Sequence, residues 1–131
     1  MQCRSPGAVV GCDAALDAEV TRMCSEAIAD PATTLRCTAE RAFLRGLGGG
    51  CSLPIGVQST LTTTKAGDVA SLALRGCVLS FDGAELLEAE LAVPVRDVAA
   101  AGALGMALCD DLKARGAAAL LETLRAAAAQ K

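Results

Sequence analysis

Apolar residues recur at Leu16, Val20, Met23, Cys24, Ala27 and Ile28, the i, i+4, i+7, i+8 spacing of one face of an amphipathic helix, and predict a first helix over residues 13 to 29. Asp30 before Pro31 is a start signal: an N-cap acceptor, then a residue whose missing N–H costs nothing at the first helical position. The second helix has its apolar face at Leu35, Ala39, Ala42, Phe43 and Leu47 and stops at Gly48, Gly49 and Gly50, which a helix interior disfavours. After Pro54 the period changes to two. Val57, Ser59 and Leu61 alternate with Gln58, Thr60 and Thr62 in a β-branched-rich strand. A second strand over 69–81 meets a third over 84–93 through Asp82-Gly83, a hairpin signal. In the third, Leu87, Ala89, Leu91 and Val93 share one face while Glu88 and Glu90 share the other, so one face is buried and one wet.

From Arg96 the helical period returns with Leu104, Leu108 and Leu112, and Gly116 is the expected C-terminal cap. A last helix buries Leu120, Leu121 and Leu124. Helices and strands are segregated along the chain, which predicts an α+β fold. It is a three-stranded antiparallel sheet with helices packed on one face, preceded by an additional N-terminal helix. No internal repeat is present.

Composition changes this picture in one respect. The 131 residues are 53% hydrophobic but only 2% aromatic, so the core rests on Ala, Leu and Val. Such side chains bury little area each, and at about 25 cal/mol per Å² an Ala-rich core of this size is marginal unless it docks on something else. The aperiodic residues 1 to 12 look like a cut end, and a fragment of a larger protein is expected. Charge excludes more. The 12 basic and 15 acidic residues are dispersed, for a net charge of −3, and no basic stripe is available for nucleic acid. No apolar run reaches the roughly 18 residues that span a bilayer, and no secretory signal opens the chain. A soluble protein without nucleic-acid or membrane partners is expected.

Seven Cys stand at positions 3, 12, 24, 37, 51, 77 and 109, without a CxxC pair and without any His, so a zinc site is not expected. An odd number of thiols without a secretory signal fits a reducing compartment. Cys24, Cys37, Cys77 and Cys109 fall on or near apolar faces and read as packing residues. Cys51 differs. Glycines before it and Pro54 after it make a loop where backbone can approach a ligand closely. On residue chemistry alone, a single Cys in such a loop is more often structural than reactive. Arg41 and Arg45, Asp110 and Asp111, and Glu88 and Glu90 all read as solvated faces.

The run Glu40-Arg41-Ala42-Phe43-Leu44-Arg45-Gly46-Leu47-Gly48-Gly49-Gly50-Cys51-Ser52-Leu53-Pro54-Ile55-Gly56 resembles the signature of the porphobilinogen deaminases, or hydroxymethylbilane synthases. In that family a Glu-Arg pair leads into a Gly-Gly-Cys-x-x-Pro-x-Gly turn. Leu53 stands where Val, Ile or Thr is more usual, a change of shape remote from the thiol. Cys3-Arg4, residues 72–83 and residues 97–116 resemble the family as well, so the likeness spans nearly the whole chain.

The resemblance implies a transferase that joins four porphobilinogen units, with loss of ammonia, onto a covalent dipyrromethane primer in tetrapyrrole biosynthesis. Cys51 would be the thioether anchor of that cofactor, with Gly49 and Gly50 giving the loop its geometry. It also implies that the catalytic carboxylate and the arginines that bind substrate carboxylates lie in two N-terminal domains that are not here. The isolated chain, with no catalytic residue of its own, is therefore expected to be inactive. Residues 1–29 are expected to be a remnant of the preceding domain and residues 30–131 the C-terminal cofactor-attachment domain. Porphobilinogen and the growing polypyrrole would be partners through the missing domains, and the full-length protein would be monomeric. The expected compartment is the cytoplasm, or alternatively the plastid stroma. A non-enzymatic α+β interaction domain that keeps the motif for structural reasons is the other reading.

Overall fold

A computed structural model of the protein describes residues 14–48, 52–64 and 69–129. It divides into two compact units, Met1–Thr33 and Thr34–Lys131. In the first, helix α1 (Ala14–Ile28) is held along its own surface. Arg22 pairs with Glu19 at 2.6 Å and with Glu26 at 2.7 Å, three and four residues away on the same face. Its apolar stripe remains in solvent: Leu16 is 61% and Ile28 66% exposed, and Val20 and Met23 are exposed as well. The start of helix α2 (Pro31–Gly46) follows the expected chemistry, because the Asp30 carboxylate accepts the Thr33 N–H at 2.7 Å.

The second unit is an α+β sandwich of two layers. Strands β1 (Ile55–Thr63), β2 (Val69–Leu79) and β3 (Leu86–Val93) form an antiparallel sheet in the order β1-β2-β3. The register sets Val57 opposite Gly76 and Gly76 opposite Ala89, so the period-two apolar positions of all three strands lie on one face. That face meets α2 from Leu35 onwards, α3 (Val98–Leu112) and α4 (Ala118–Ala128) in one core. Leu35, Ala39, Phe43 and Leu47 are buried from α2, Leu104, Leu108 and Leu112 from α3, and Leu120, Leu121 and Leu124 from α4. The fold class read from periodicity is the fold observed.

Two local expectations change. Asp82-Gly83 does form part of the β2–β3 hairpin, but as the tip of a six-residue loop rather than a two-residue turn, with the Ser80 N–H donating to the Glu85 carbonyl at 2.9 Å. The Asp82 carboxylate draws the loop together by accepting from Ser80 Oγ at 2.5 Å and the Ala84 N–H at 3.1 Å. Gly116 breaks the helical run where expected: beyond α3 the short segment Lys113–Ala117 stays helical apart from Gly116, whose φ of +110° is accessible to glycine without penalty and lets α4 follow directly. Cys37 is exposed, whereas its position near the apolar spacing of α2 suggested packing. Its neighbours Leu35 and Ala39 occupy the buried stripe, and position 37 turns away from it. Cys109 is buried, as expected.

Candidate functional site

The connection from α2 to β1 contains the residues with the strongest claim to chemistry. Gly49, Gly50 and Cys51 themselves lie outside the described residues, and the site is built here from the two ends that carry them.

The α2 end is fixed by close approaches that only small residues allow. Phe43 lays its ring directly over Gly76 of β2, where a Cβ would collide with the ring. Gly105 of α3 lies against the Ala39 carbonyl and the Phe43 N–H, so the two helices touch backbone to backbone. One turn later a Cβ on Gly46 would come within 2.8 Å of Cys109 Sγ. A helix pinned against a strand and a second helix at three successive turns has little freedom to slide.

Polar contacts secure its outer side. Ser59, only 3% exposed in β1, donates its hydroxyl to Glu40 Oε1 at 2.5 Å and accepts from Arg36 Nε at 3.0 Å. Arg36 Nη2 also donates to the Ser59 carbonyl at 3.1 Å. A buried hydroxyl placed on the core face of a strand needs such partners, and here both come from one helix, four residues apart. Glu40, which opens the signature stretch, thus braces α2 against β1. Its neighbours Arg41 and Arg45 are exposed.

α2 terminates at Leu47 and Gly48. The Leu47 N–H reaches the Phe43 carbonyl at 3.1 Å, the Gly48 N–H reaches that of Arg45 at 2.9 Å, and Gly48 takes φ +62°, the left-handed conformation that ends many helices. From α4, Arg125 Nη2 donates to the Leu47 carbonyl at 2.6 Å and lies 3.5 Å from that of Gly48. A guanidinium on the final carbonyls satisfies acceptors that the helix leaves open and meets the negative end of its dipole. Beyond the connection, the Ile55 N–H donates to the Leu53 carbonyl at 2.9 Å and the Leu79 N–H to the Pro54 carbonyl at 3.0 Å, which ties the entry of β1 to the end of β2. Both flanks are therefore anchored, while Gly48 and Ser52 face solvent.

The described ends of the connection are held in place and are exposed at Gly48 and Ser52. A clamp for a polycarboxylate is a different matter. Arg125, which reaches the α2 end of the connection, is engaged with backbone carbonyls rather than offered to the carboxylates of such a group.

The outer face of the sheet is polar and open, with Gln58, Thr60, Arg75 and Glu90 around a shallow depression. Arg75 pairs with Glu88 through two contacts of 2.7 Å, and this hydrogen bonding raises the Arg75 pKa. Both side chains are well exposed, which supports the solvated reading of Glu88. The described residues contain no cluster of three or more His, Cys, Asp or Glu able to hold a metal, and no described helix is long and apolar enough to cross a membrane.

Arg125 was not foreseen from the sequence, nor was the Arg36–Ser59–Glu40 group. Ser at an apolar strand position was the available signal for the second. Nothing in the Ala-rich last helix marked the first.

Comparison with known proteins bears on the same region. Residues 34–114 match the family described as "Porphobilinogen deaminase, C-terminal domain". The porphobilinogen deaminase of Synechococcus elongatus is 44% identical over 92 residues, which cover 70% of this chain and 26% of that protein. That of Gloeobacter violaceus is 45% identical over 94 residues, with 72% and 26% covered, and that of Candida albicans is 37% identical over 97, with 74% and 27% covered. The chain spans about a quarter of the length of the curated relatives it matches. With 34–114 holding α2 from Thr34 onwards, the whole sheet and α3, the chain belongs to the porphobilinogen deaminase family, in the part that forms its C-terminal domain.

Proposed function

We infer that this chain is the primer-bearing portion of a porphobilinogen deaminase, a transferase of tetrapyrrole biosynthesis, and that Cys51 is the thioether anchor of its dipyrromethane cofactor. The observation that supports this is the family match across the α2–β1 connection, together with the rigid mounting of both its ends. When bound, the cofactor supplies a pyrrole with a free α-carbon to which porphobilinogen units are added with loss of ammonia. This chain's contribution is to hold the attachment point still. Phe43, Gly105 and Gly46 fix the helix, Glu40 and Arg36 lock it to β1, and Gly49 and Gly50 give the thiol side room.

The family resemblance puts the proton-handling carboxylate and the cations for the substrate's carboxylates outside the quarter of its relatives' length that this chain spans, and in this reading the chain by itself is inactive. In this reading residues 1–29 are a remnant of the preceding domain and residues 30–131 are the cofactor-attachment domain. The exposed stripe of α1 agrees with that boundary. Cytoplasm and plastid stroma both fit.

Intact mass spectrometry tests the reading. Expressed together with the missing domains in cells that make porphobilinogen, the chain gains the mass of a dipyrromethane, and Cys51→Ser does not. Equal gain by Cys51→Ser removes the anchor assignment. No gain by the unmodified chain favours an interaction domain that keeps the motif for structural reasons.

A further inference from the structure

We propose that Arg125 is a positioning residue for the primer-bearing connection: from α4 it latches the end of α2, and so makes presentation of Cys51 depend on the docking of the last helix.

The latch joins residues 78 positions apart in sequence. Arg125 Nη2 contacts the Leu47 carbonyl at 2.6 Å, and a Cβ on Gly48 would lie 3.0 Å from the same nitrogen. Gly48 thus serves two needs at once, its φ of +62° and the close passage of the guanidinium. Leu121 and Leu124 are buried beside Arg125 and seat α4 in the core, so the guanidinium is delivered from a packed helix and not from a free tail. A charge-assisted bond of this length is strong and directional, and it acts on the last fixed residues before Gly49. No other described side chain is hydrogen-bonded to the Leu47 or Gly48 carbonyl. The residues matched to the family stop at 114, so the latch is supplied from outside the matched region.

The alternative, that Arg125 merely adds stability, is separable from positioning. The proposal rests on the assignment of Cys51 as anchor, so the measurements include some that need no cofactor. In the chain as given, Arg125→Ala accelerates amide exchange at Leu47 and Gly48 and raises the rate of Cys51 alkylation by iodoacetamide, relative to exposed Cys37, by about threefold or more, as expected for release of a locally held segment. Arg125→Lys, which keeps a cationic donor, restores much of the wild-type ratio. Leu72→Ala, a cavity at the end of β2 far from the connection, lowers global stability but leaves the ratio unchanged.

With the missing domains supplied, Arg125→Ala also lowers the fraction of chain that gains the dipyrromethane mass, while Leu72→Ala at a temperature where it is folded does not. Exchange and alkylation ratios equal to wild type in Arg125→Ala, or equal shifts in Leu72→Ala, overturn the latch. Failure of the unmodified chain to load overturns the anchor assignment instead, and the alkylation and exchange results then still decide whether Arg125 holds the connection.

Discussion

α1 and α2 carry the same kind of apolar stripe, and the structure treats them in opposite ways. On α2, Leu35, Ala39, Phe43 and Leu47 disappear into a core shared with β2, α3 and α4. On α1, Leu16, Val20, Met23 and Ile28 are exposed, and Arg22 bridges Glu19 and Glu26 on the helix surface. Periodicity tells which face of a helix is apolar. It does not tell whether the complementary surface lies on the same chain, and for a chain that spans about a quarter of its relatives that distinction is decisive.

The sharpest way to test the contrast is to empty the α2 side of the core. Phe43→Ala removes the largest buried side chain and should cost about 3–5 kcal/mol, the range for an aromatic deleted from a core. In an Ala-rich domain of this size that is a large share of the total stability. Urea unfolding followed by circular dichroism checks it, and a cost under about 1 kcal/mol would mean that α2 is no better packed than α1. Gly105→Ala should be comparably damaging for the opposite reason. Its Cβ meets the Ala39 carbonyl and the Phe43 N–H, which are backbone and cannot rotate aside, and overpacking of that kind costs about 1–3 kcal/mol or more.

A smaller effect is expected at the polar brace. Glu40→Ala leaves the buried Ser59 hydroxyl without its acceptor and should cost about 1–3 kcal/mol. Ser59→Ala in the same background should cost less than it does alone, because the Glu40 bond is already gone and only the bond from Arg36 Nε remains to be lost. A fully additive pair of losses in a double-mutant cycle would show that the bond is not the source of the effect.

These residues also show where sequence reading stops. The elements were legible because α2, the strands and α3 each obey a single period, and Asp30 and the Gly48 terminus announce the limits of α2. Cys51 was singled out by its glycines and by resemblance. What holds its mounting was not legible. Gly76 and Gly105 drew no notice in the sequence, yet each is small because Phe43 or the backbone of α2 occupies its Cβ space. The Arg36–Ser59 and Arg125–Leu47 contacts join residues 23 and 78 apart, and no local pattern encodes a partner at such a distance. Cys37 failed in the other direction, since lying near an apolar spacing is not lying on it.

Truncating the α1 stripe should do least among the apolar changes. Leu16→Ala and Ile28→Ala remove side chains already in solvent, and each should change stability by no more than about 0.5 kcal/mol. Amide exchange across α1 should be much faster than across α2 residues 35–43. Strong protection of α1 in the chain as given would show that its stripe is covered, and would dissolve the contrast with α2.

Acid gives the gentlest discrimination. Hydrogen bonds from Arg22 hold the Glu19 carboxyl below its ordinary value of 4.5, and those from Ser80 and from the Ala84 N–H hold Asp82 below its ordinary 3.8. Lowered carboxyls contribute their full stabilisation above the ordinary value and lose it as the pH falls through the lower folded one. Both groups are fully exposed, so the effect on global unfolding is small and the response is local. α1 depends on its surface ion pairs, while α2 is held by burial. Lowering the pH from 6 to below the ordinary carboxyl range should therefore reduce the helical Cα chemical shifts of residues 19–26 before those of residues 35–43 change. Loss of helicity in α2 ahead of α1 would mean that burial is not what distinguishes them.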